Sequence, residues 1–177
     1  MSTKNILLAG FGGQGILFAG KVLAYAGLID NKEVSWLPSY GPEMRGGTAN
    51  CNVCISDDPI GSPLITVPDI LVAMNRPSLE KFIDNVAPGG KVFIESTLID
   101  QKVERTDVEV FYVPATELAE DNQLKGLANI ILLGKVLGQM DDVSMDAVEK
   151  AIEKCVPPKK AHLIEHNLRA IKLGMES

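Results

Sequence analysis

Long apolar runs are missing from this sequence. The longest, Leu127 to Leu137, is interrupted by Asn129, Gly134 and Lys135, well short of the ~20 apolar residues that a membrane-spanning helix needs. The apolar residues behind Met1 are too few for an export signal and run straight into glycines, as a first strand entering a turn would. Basic runs are missing too. The 177 residues carry a formal net charge of −6 with lysine and arginine scattered, which excludes a phosphate-backbone partner such as DNA or RNA. Cysteine is scarce: three residues, an odd count without framework spacing, read as a reducing compartment and hence the cytoplasm. Histidine is scarcer, and both copies, His162 and His166, lie near the end. No Ser/His/Asp or Cys/His set for nucleophilic catalysis can be assembled, so no catalytic residue is expected in this chain.

What is present is an alternation of strand-like and helix-like segments. Asn5–Ala9 is a short apolar run ending at glycines, as a buried parallel strand does. Ile16, Leu17, Ala19, Val22, Leu23 and Ala26 then mark one helical face. Strands are expected at Glu33–Leu37, Thr48–Ile55, Ile70–Met74, Lys91–Glu95 and Val108–Val113. Helices are expected from Pro77 to Val86, over Thr116–Asp121 and Leu124–Met140, from a Ser144 cap to Cys155, and over Lys160–Leu173. The pattern predicts one α/β domain over residues 1–177. It would be a Rossmann-like, doubly wound, mostly parallel sheet with a helical C-terminal tail. Thr48–Ile55 is entered through a loop with no helix before it, so this strand is free to run antiparallel.

Two loops carry ligand-type chemistry. Gly10-Phe-Gly-Gly-Gln-Gly15 has G-x-G-x-x-G spacing directly between a strand and a helix. Glycines there permit a tight turn, and the helix start favours an anion; the plainer reading is that they let the first helix pack on the sheet. A dinucleotide site also wants an acid about 20 residues on. The second strand ends near Trp36-Leu37-Pro38 with none, and Glu33 lies too early, which argues against a nicotinamide cofactor. The second loop, Pro38-Ser-Tyr-Gly-Pro-Glu-Met-Arg-Gly-Gly47, would sit on the rim where open α/β sheets bind ligands. Arg45 could clamp a carboxylate or phosphate, with Glu43 orienting it or pairing with another chain. A rigid connector holding an internal Glu43–Arg45 pair is the plainer alternative.

These segments together resemble the gamma subunit of 2-oxoacid:ferredoxin oxidoreductases. The likeness lies in Gly10 to Ile16 paired with Pro38 to Gly47, followed by Pro68 to Asn75 and Gly126 to Gly134, and runs from about Lys4 to beyond Leu137. It implies a Rossmann-like subunit of an enzyme that oxidatively decarboxylates a 2-oxoacid to an acyl-CoA, leaning toward the 2-oxoglutarate or branched-chain members. In that family, alpha and beta subunits hold thiamine diphosphate, iron–sulfur clusters carry electrons, and ferredoxin or a ferredoxin-like subunit accepts them. The resemblance assigns contact with CoA or a partner subunit to Gly12, Gly13, Gln14 and Gly15. It assigns the same to Ser39, Tyr40, Gly41, Glu43, Arg45, Gly46 and Gly47. No Gly-Asp-Gly motif and no Cys-x-x-Cys-x-x-Cys-x-x-x-Cys run occurs, so the chain must borrow its chemistry and binds no cofactor alone. A homodimer of the isolated chain is the remaining partner expectation. The competing readings are a free-standing nucleotide-binding protein or NAD(P)-dependent reductase, and a scaffold with no small ligand.

Three further features are weighed and discounted. Cys51-Asn-Val-Cys54 falls inside an expected strand, where residues three apart face opposite ways, so it reads as buried small residues and not a redox or zinc pair. His162-Leu-Ile-Glu-His166 matches H-x-x-E-H spacing. Its histidines lie across the helix from the stripe of Ala161, Ile164, Leu168 and Ile171, and no metal is assigned. Asn129, in an apolar helix, and Asn75 are the polar residues that demand partners.

Overall fold

The computed structural model describes residues 3–39 and 48–177. Six strands, β1 (Thr3–Phe11), β2 (Glu33–Ser39), β3 (Thr48–Ser56), β4 (Ile70–Ala73), β5 (Lys91–Glu95) and β6 (Glu109–Val113), form one sheet in the order β2-β3-β1-β4-β5-β6. Pairings β1–β4, β4–β5 and β5–β6 are parallel. β3 alone is reversed, antiparallel to β1 from Thr3↔Ser56 to Phe11↔Thr48 and to β2 from Glu33↔Ser56 to Ser39↔Asn50. β2 ends at Ser39 and β3 starts at Thr48, a separation shorter than a parallel crossover needs, and this permits the reversal. β3 thereby slots between β1 and β2, which a plain Rossmann unit would pair.

Helices cover both faces, unequally. On one lie α1 (Ile16–Ile29), α3 (Ala115–Asp121), α4 (Ala128–Leu137), α5 (Met145–Cys155) and α6 (Leu163–Glu176), closing a core around Ile6, Leu8, Val53, Val72 and Phe93. On the other, α2 (Arg76–Phe82) and the irregular chain after β5 close a smaller core around Leu7, Leu71, Leu79, Val92 and Ile99. α1 is apolar nearly all round because it lies between the sheet and α5, whereas α5 buries one stripe: Ala147, Val148, Ala151, Ile152 and Cys155. Ser144 caps α5, its Oγ accepting from Ala147 N at 3.1 Å. The same serine donates through its N and Oγ to Asp30, at the end of α1, which fixes the two helices together.

Two expected helices differ in detail. The helix over Leu124–Met140 shrinks to Ala128–Leu137. Gln123 and Gly126 adopt left-handed φ of 59° and 86°, and no α-helix runs through such residues. The helix expected from Lys160 starts at Leu163, after a 3-10 turn at Pro158–Lys160, and runs on to Glu176. Its buried face is also rotated from the expected stripe, onto Asn167, Ala170, Ile171 and Gly174. The reason is α4. A Cβ on Gly134 would stand 2.2 Å from Ile171 O, and one on Gly174 only 1.9 Å from Ile131 O. The two helices meet backbone to backbone, and a face of small residues makes that possible.

All three cysteines are free and buried. Cys51 belongs to the core beneath α1 and its Sγ donates to Ile16 O at 3.7 Å, while Cys54, three residues on, lies on the opposite face of β3. Burial pushes the Cys51 thiol up to about 12 and moves those of Cys54 and Cys155 in the same direction. A thiol-titrating disulfide reagent at neutral pH is therefore expected to label none of the three in the native chain within minutes, and all three in denaturant. Rapid labelling of the native protein would contradict the packing around β3.

Candidate functional site

The site grows from the carboxyl end of β1. The strand stops at Phe11 because Gly13, with φ 94°, and Gly15, with φ 74°, turn the chain back into α1. Gln14 clasps this turn. Its Oε1 accepts from Phe11 N at 2.6 Å and its Nε2 donates to Met74 O at 3.0 Å, joining the turn to the end of β4. Asn129, in the first turn of α4, donates from Nδ2 to Gly15 O at 2.9 Å. It does so at such close quarters that a Cβ on Gly15 would come within 2.2 Å of that nitrogen. Gln14→Ala removes both clasping bonds, and a loss of about 1–3 kcal/mol is expected in urea unfolding. Faster hydrogen exchange at the Phe11 amide should accompany it; an unchanged Phe11 amide would show that the clasp does not hold the turn.

Among the described residues no side chain caps α1, and its first turn holds no acidic residue. A helix start of this kind suits an anion, which the helix dipole favours. Beside the turn lies a cleft of ≈290 Å³ lined by Gly13, Gln14, Met74, Thr116, Glu120, Lys125 and Asn129. The floor is fixed by a buried carboxylate. Glu95, with no solvent exposure, accepts from Thr97 N at 3.0 Å and from the Thr116 hydroxyl. Thr116 thus spends its proton inward and offers the cleft only acceptor lone pairs. Lys125 is exposed and supplies positive charge. A second hollow, of ≈300 Å³, lies across the turn against Phe11, Gly12, Leu17, Phe18 and Ala49, with Phe11 itself 40% exposed.

Gly12, Gly13, Gln14 and Gly15 are thus brought together as one turn between two hollows. Ser39 is exposed at the end of β2, paired with Asn50. Tyr40, Gly41, Glu43, Arg45, Gly46 and Gly47 lie outside the described residues. The residues on either side of that loop, Ser39 and Thr48, are at the same end of the sheet as the glycine turn, since Thr48 pairs with Phe11. Glu33 sits at the opposite end of β2, across from Ser56, and Ser39 occupies the strand tip where a dinucleotide site would place an acid. Of the two asparagines flagged in the sequence, Asn129 holds the turn. Asn75 caps α2, accepting from Ser78 N at 2.9 Å. His162 is exposed at the start of α6, and His166 Nδ1 lies 3.1 Å from the His162 carbonyl. Among the described residues no three His, Cys, Asp or Glu gather as a metal site, and no helix is long and apolar enough to cross a membrane. Glu95, Thr116, Lys125 and Asn167 escaped the sequence reading. Only Glu95 left a trace, as a charge ending an otherwise buried strand.

The family model for pyruvate ferredoxin/flavodoxin oxidoreductases matches residues 5–177. The 2-oxoglutarate synthase subunit KorC of Methanocaldococcus jannaschii is 41% identical over 98% of this chain and 92% of its own length. The ketoisovalerate oxidoreductase subunit VorA of Methanothermobacter thermautotrophicus is 39% identical over 97% of this chain, but the chain spans only 36% of that longer protein. Among solved structures, the gamma subunit of a keto/oxoacid ferredoxin oxidoreductase from Geobacter sulfurreducens superimposes with a TM-score of 0.83 at 30% identity, covering 98% of this chain and 96% of that one. A match over nearly the whole length, with relatives that are themselves single subunits, means that the chain belongs to the pyruvate ferredoxin/flavodoxin oxidoreductase family, as a gamma-type subunit of the 2-oxoacid:ferredoxin oxidoreductases.

Proposed function

We propose that this chain works as one domain in a cytoplasmic complex that oxidises a 2-oxoacid, 2-oxoglutarate in the first instance, to its acyl-CoA and passes the electrons to ferredoxin. The chain itself makes and breaks no bond. Its part is to dock on the alpha and beta subunits and to hold the anionic end of CoA through Gly12–Gly15 and the loop from Ser39 to Gly47. The observation that carries this is the uncapped start of α1, set in a turn between two hollows, at the same end of the sheet as Ser39 and Thr48. The helix start and Lys125 suit a phosphate. The exposed Phe11 beside them suits a protein surface.

The donor set fits the division of labour. Iron–sulfur clusters of the common kind are held by four cysteine thiolates, whereas this chain has three cysteines, two on opposite faces of β3 and one on α5. On this reading the clusters and thiamine diphosphate are held by partner chains. Thiamine diphosphate, when bound there, supplies the carbanion chemistry of decarboxylation. Native-mass analysis of the tagged chain purified from its own host tests the proposal. It is expected to arrive with larger subunits, thiamine diphosphate and iron, in a complex that reduces ferredoxin with 2-oxoglutarate and CoA. Arrival alone, with saturable NADH binding, would overturn it.

A further inference from the structure

The fold gathers lysines that the sequence scatters. The chain holds 23 acidic residues against 17 lysines and arginines, yet residues 1–29, 122–140 and 154–164 contain no acid at all. These three segments meet around one hollow of ≈360 Å³ and give it an apolar wall of Phe18, Leu127, Pro157 and Leu163. Lys160 stands in the same wall, with Lys159 beside it in the exposed turn after Pro157. Lys125 adjoins Gly126 on the rim. Lys154 and Lys21 share the Tyr25 ring, at 5.1 and 6.0 Å from its centroid. Burial raises the thiol of Cys155, in the wall, and Lys21 and Lys154 both pull against that rise, so their charge reaches the hollow. None of the five lysines has a carboxylate partner among the described residues, whose ion pairs use Lys32, Arg76, Arg105 and Lys150. The acids that follow and precede these segments nearest the hollow in sequence, Glu165 and Glu153, are both exposed. The starts of α1, α4 and α6 border the hollow without a side-chain cap among the described residues, and their dipoles add to the positive field. Glu165, in the first turn of α6, offsets part of it.

We propose that this hollow receives an acidic segment of a partner subunit, with one large apolar side chain seated in it and carboxylates on either side facing the lysines. The wall argues for a polypeptide over a bare anion. Phe18, Leu127 and Leu163 are half-buried, Pro157 is exposed, and only an apolar occupant takes that surface out of water. The lysines argue for an acidic segment, because charges at the rim of an interface choose the partner and speed the encounter while an apolar centre holds it. Gly15 and Phe18 line both this hollow and the one across the glycine turn, so the segment continues the docking surface proposed above. The assignment rests on the subunit reading in needing a partner chain, and it is independent of any contact with CoA.

The test is zero-length carbodiimide cross-linking of the complex purified from its own host, read by mass spectrometry. Lys154, Lys159 and Lys160 are expected to join Asp or Glu residues within one segment of a partner subunit. Lys81 and Lys102, exposed on the other face of the sheet, should give no link to that segment. The triple reversal Lys154→Glu, Lys159→Glu, Lys160→Glu should cut recovery of the partner subunit about tenfold or more at low salt. In about 1 M salt, where the screening length falls to ~3 Å, wild type and triple variant should converge. The matched reversal Lys81→Glu, Lys102→Glu should leave recovery unchanged. All five positions are exposed, so both isolated variants should unfold at the wild-type urea midpoint. A complex that forms without these cross-links, or that the triple variant joins in full, overturns the docking surface alone. Links only between two copies of this chain overturn it as well, as does saturable CoA binding to the isolated chain that the triple reversal abolishes. A chain that arrives without any partner subunit sinks the subunit reading and this surface together.

Discussion

Gly174→Ala is expected to cost the protein about 3 kcal/mol or more, a large share of the ~5–15 kcal/mol that holds a domain of this size together. Alanine is ordinarily the better helix former by ~1 kcal/mol, so the sign of the effect comes from packing alone. A Cβ at 174 would stand 1.9 Å from Ile131 O and 2.8 Å from Ile131 C, which are backbone atoms in the interior of α4 and cannot swing aside. Gly134 meets α6 in the same way, 2.2 Å from Ile171 O. Relieving either overlap means parting the two helices over their whole contact and opening voids beside Ile130, Leu133 and Ile171, all buried. Gly138 provides the internal control. Its nearest neighbours would be at 3.5 Å, ordinary contact, so Gly138→Ala should be neutral or stabilising by up to ~1 kcal/mol. Urea unfolding of the three variants decides the matter. Equal midpoints for Gly174→Ala and Gly138→Ala would mean that α4 and α6 do not pack as described.

That helix pair also shows where sequence reading stops. Gly134 and Gly138 both face α6, though only Gly134 is sterically demanded. The matching face of α6 went unread because its key members, Asn167 and Gly174, do not register as apolar. A stripe drawn through Ile164, Leu168 and Ile171 follows hydrophobicity, while the buried face follows size. Strand identities were legible because alternation and punctuation by glycine and proline are local signals. The reversal of β3 was legible as an open option, because the sequence offers no helix ahead of that strand to carry a parallel crossover. The glycine turn was legible as a turn, but its clasp was not. Gln14 reaches Met74 O, 60 residues away, and Asn129 reaches Gly15 O, 114 residues away. Glu95 is buried only because Thr116 and Thr97 converge on it, and no local pattern encodes such a meeting.

Gly15→Ala combines two penalties that a second substitution can separate. The first is intrinsic: at φ 74° an alanine pays roughly 1–2 kcal/mol that glycine does not. The second is a collision, since the new Cβ would lie 2.2 Å from Asn129 Nδ2 and 2.9 Å from its Cγ. Asn129 can retreat only by giving up its bond to Gly15 O, worth about 1 kcal/mol, inside the first turn of a helix whose other faces are packed. A total loss of about 3 kcal/mol is expected, together with weaker recovery of partner subunits if the turn is a docking element. Asn129→Ala in the Gly15→Ala background removes the colliding amide and should return about 1–2 kcal/mol, leaving the backbone cost in place. The two substitutions are therefore expected to be less destabilising together than the sum of their separate effects, a coupling of at least ~1 kcal/mol in a double-mutant cycle. Strict additivity would show that the turn is held by its own glycines, with Asn129 a bystander. Coupling, joined to loss of partner subunits in the Gly15→Ala chain alone, would establish that α4 sets the shape the glycine turn presents to the rest of the complex.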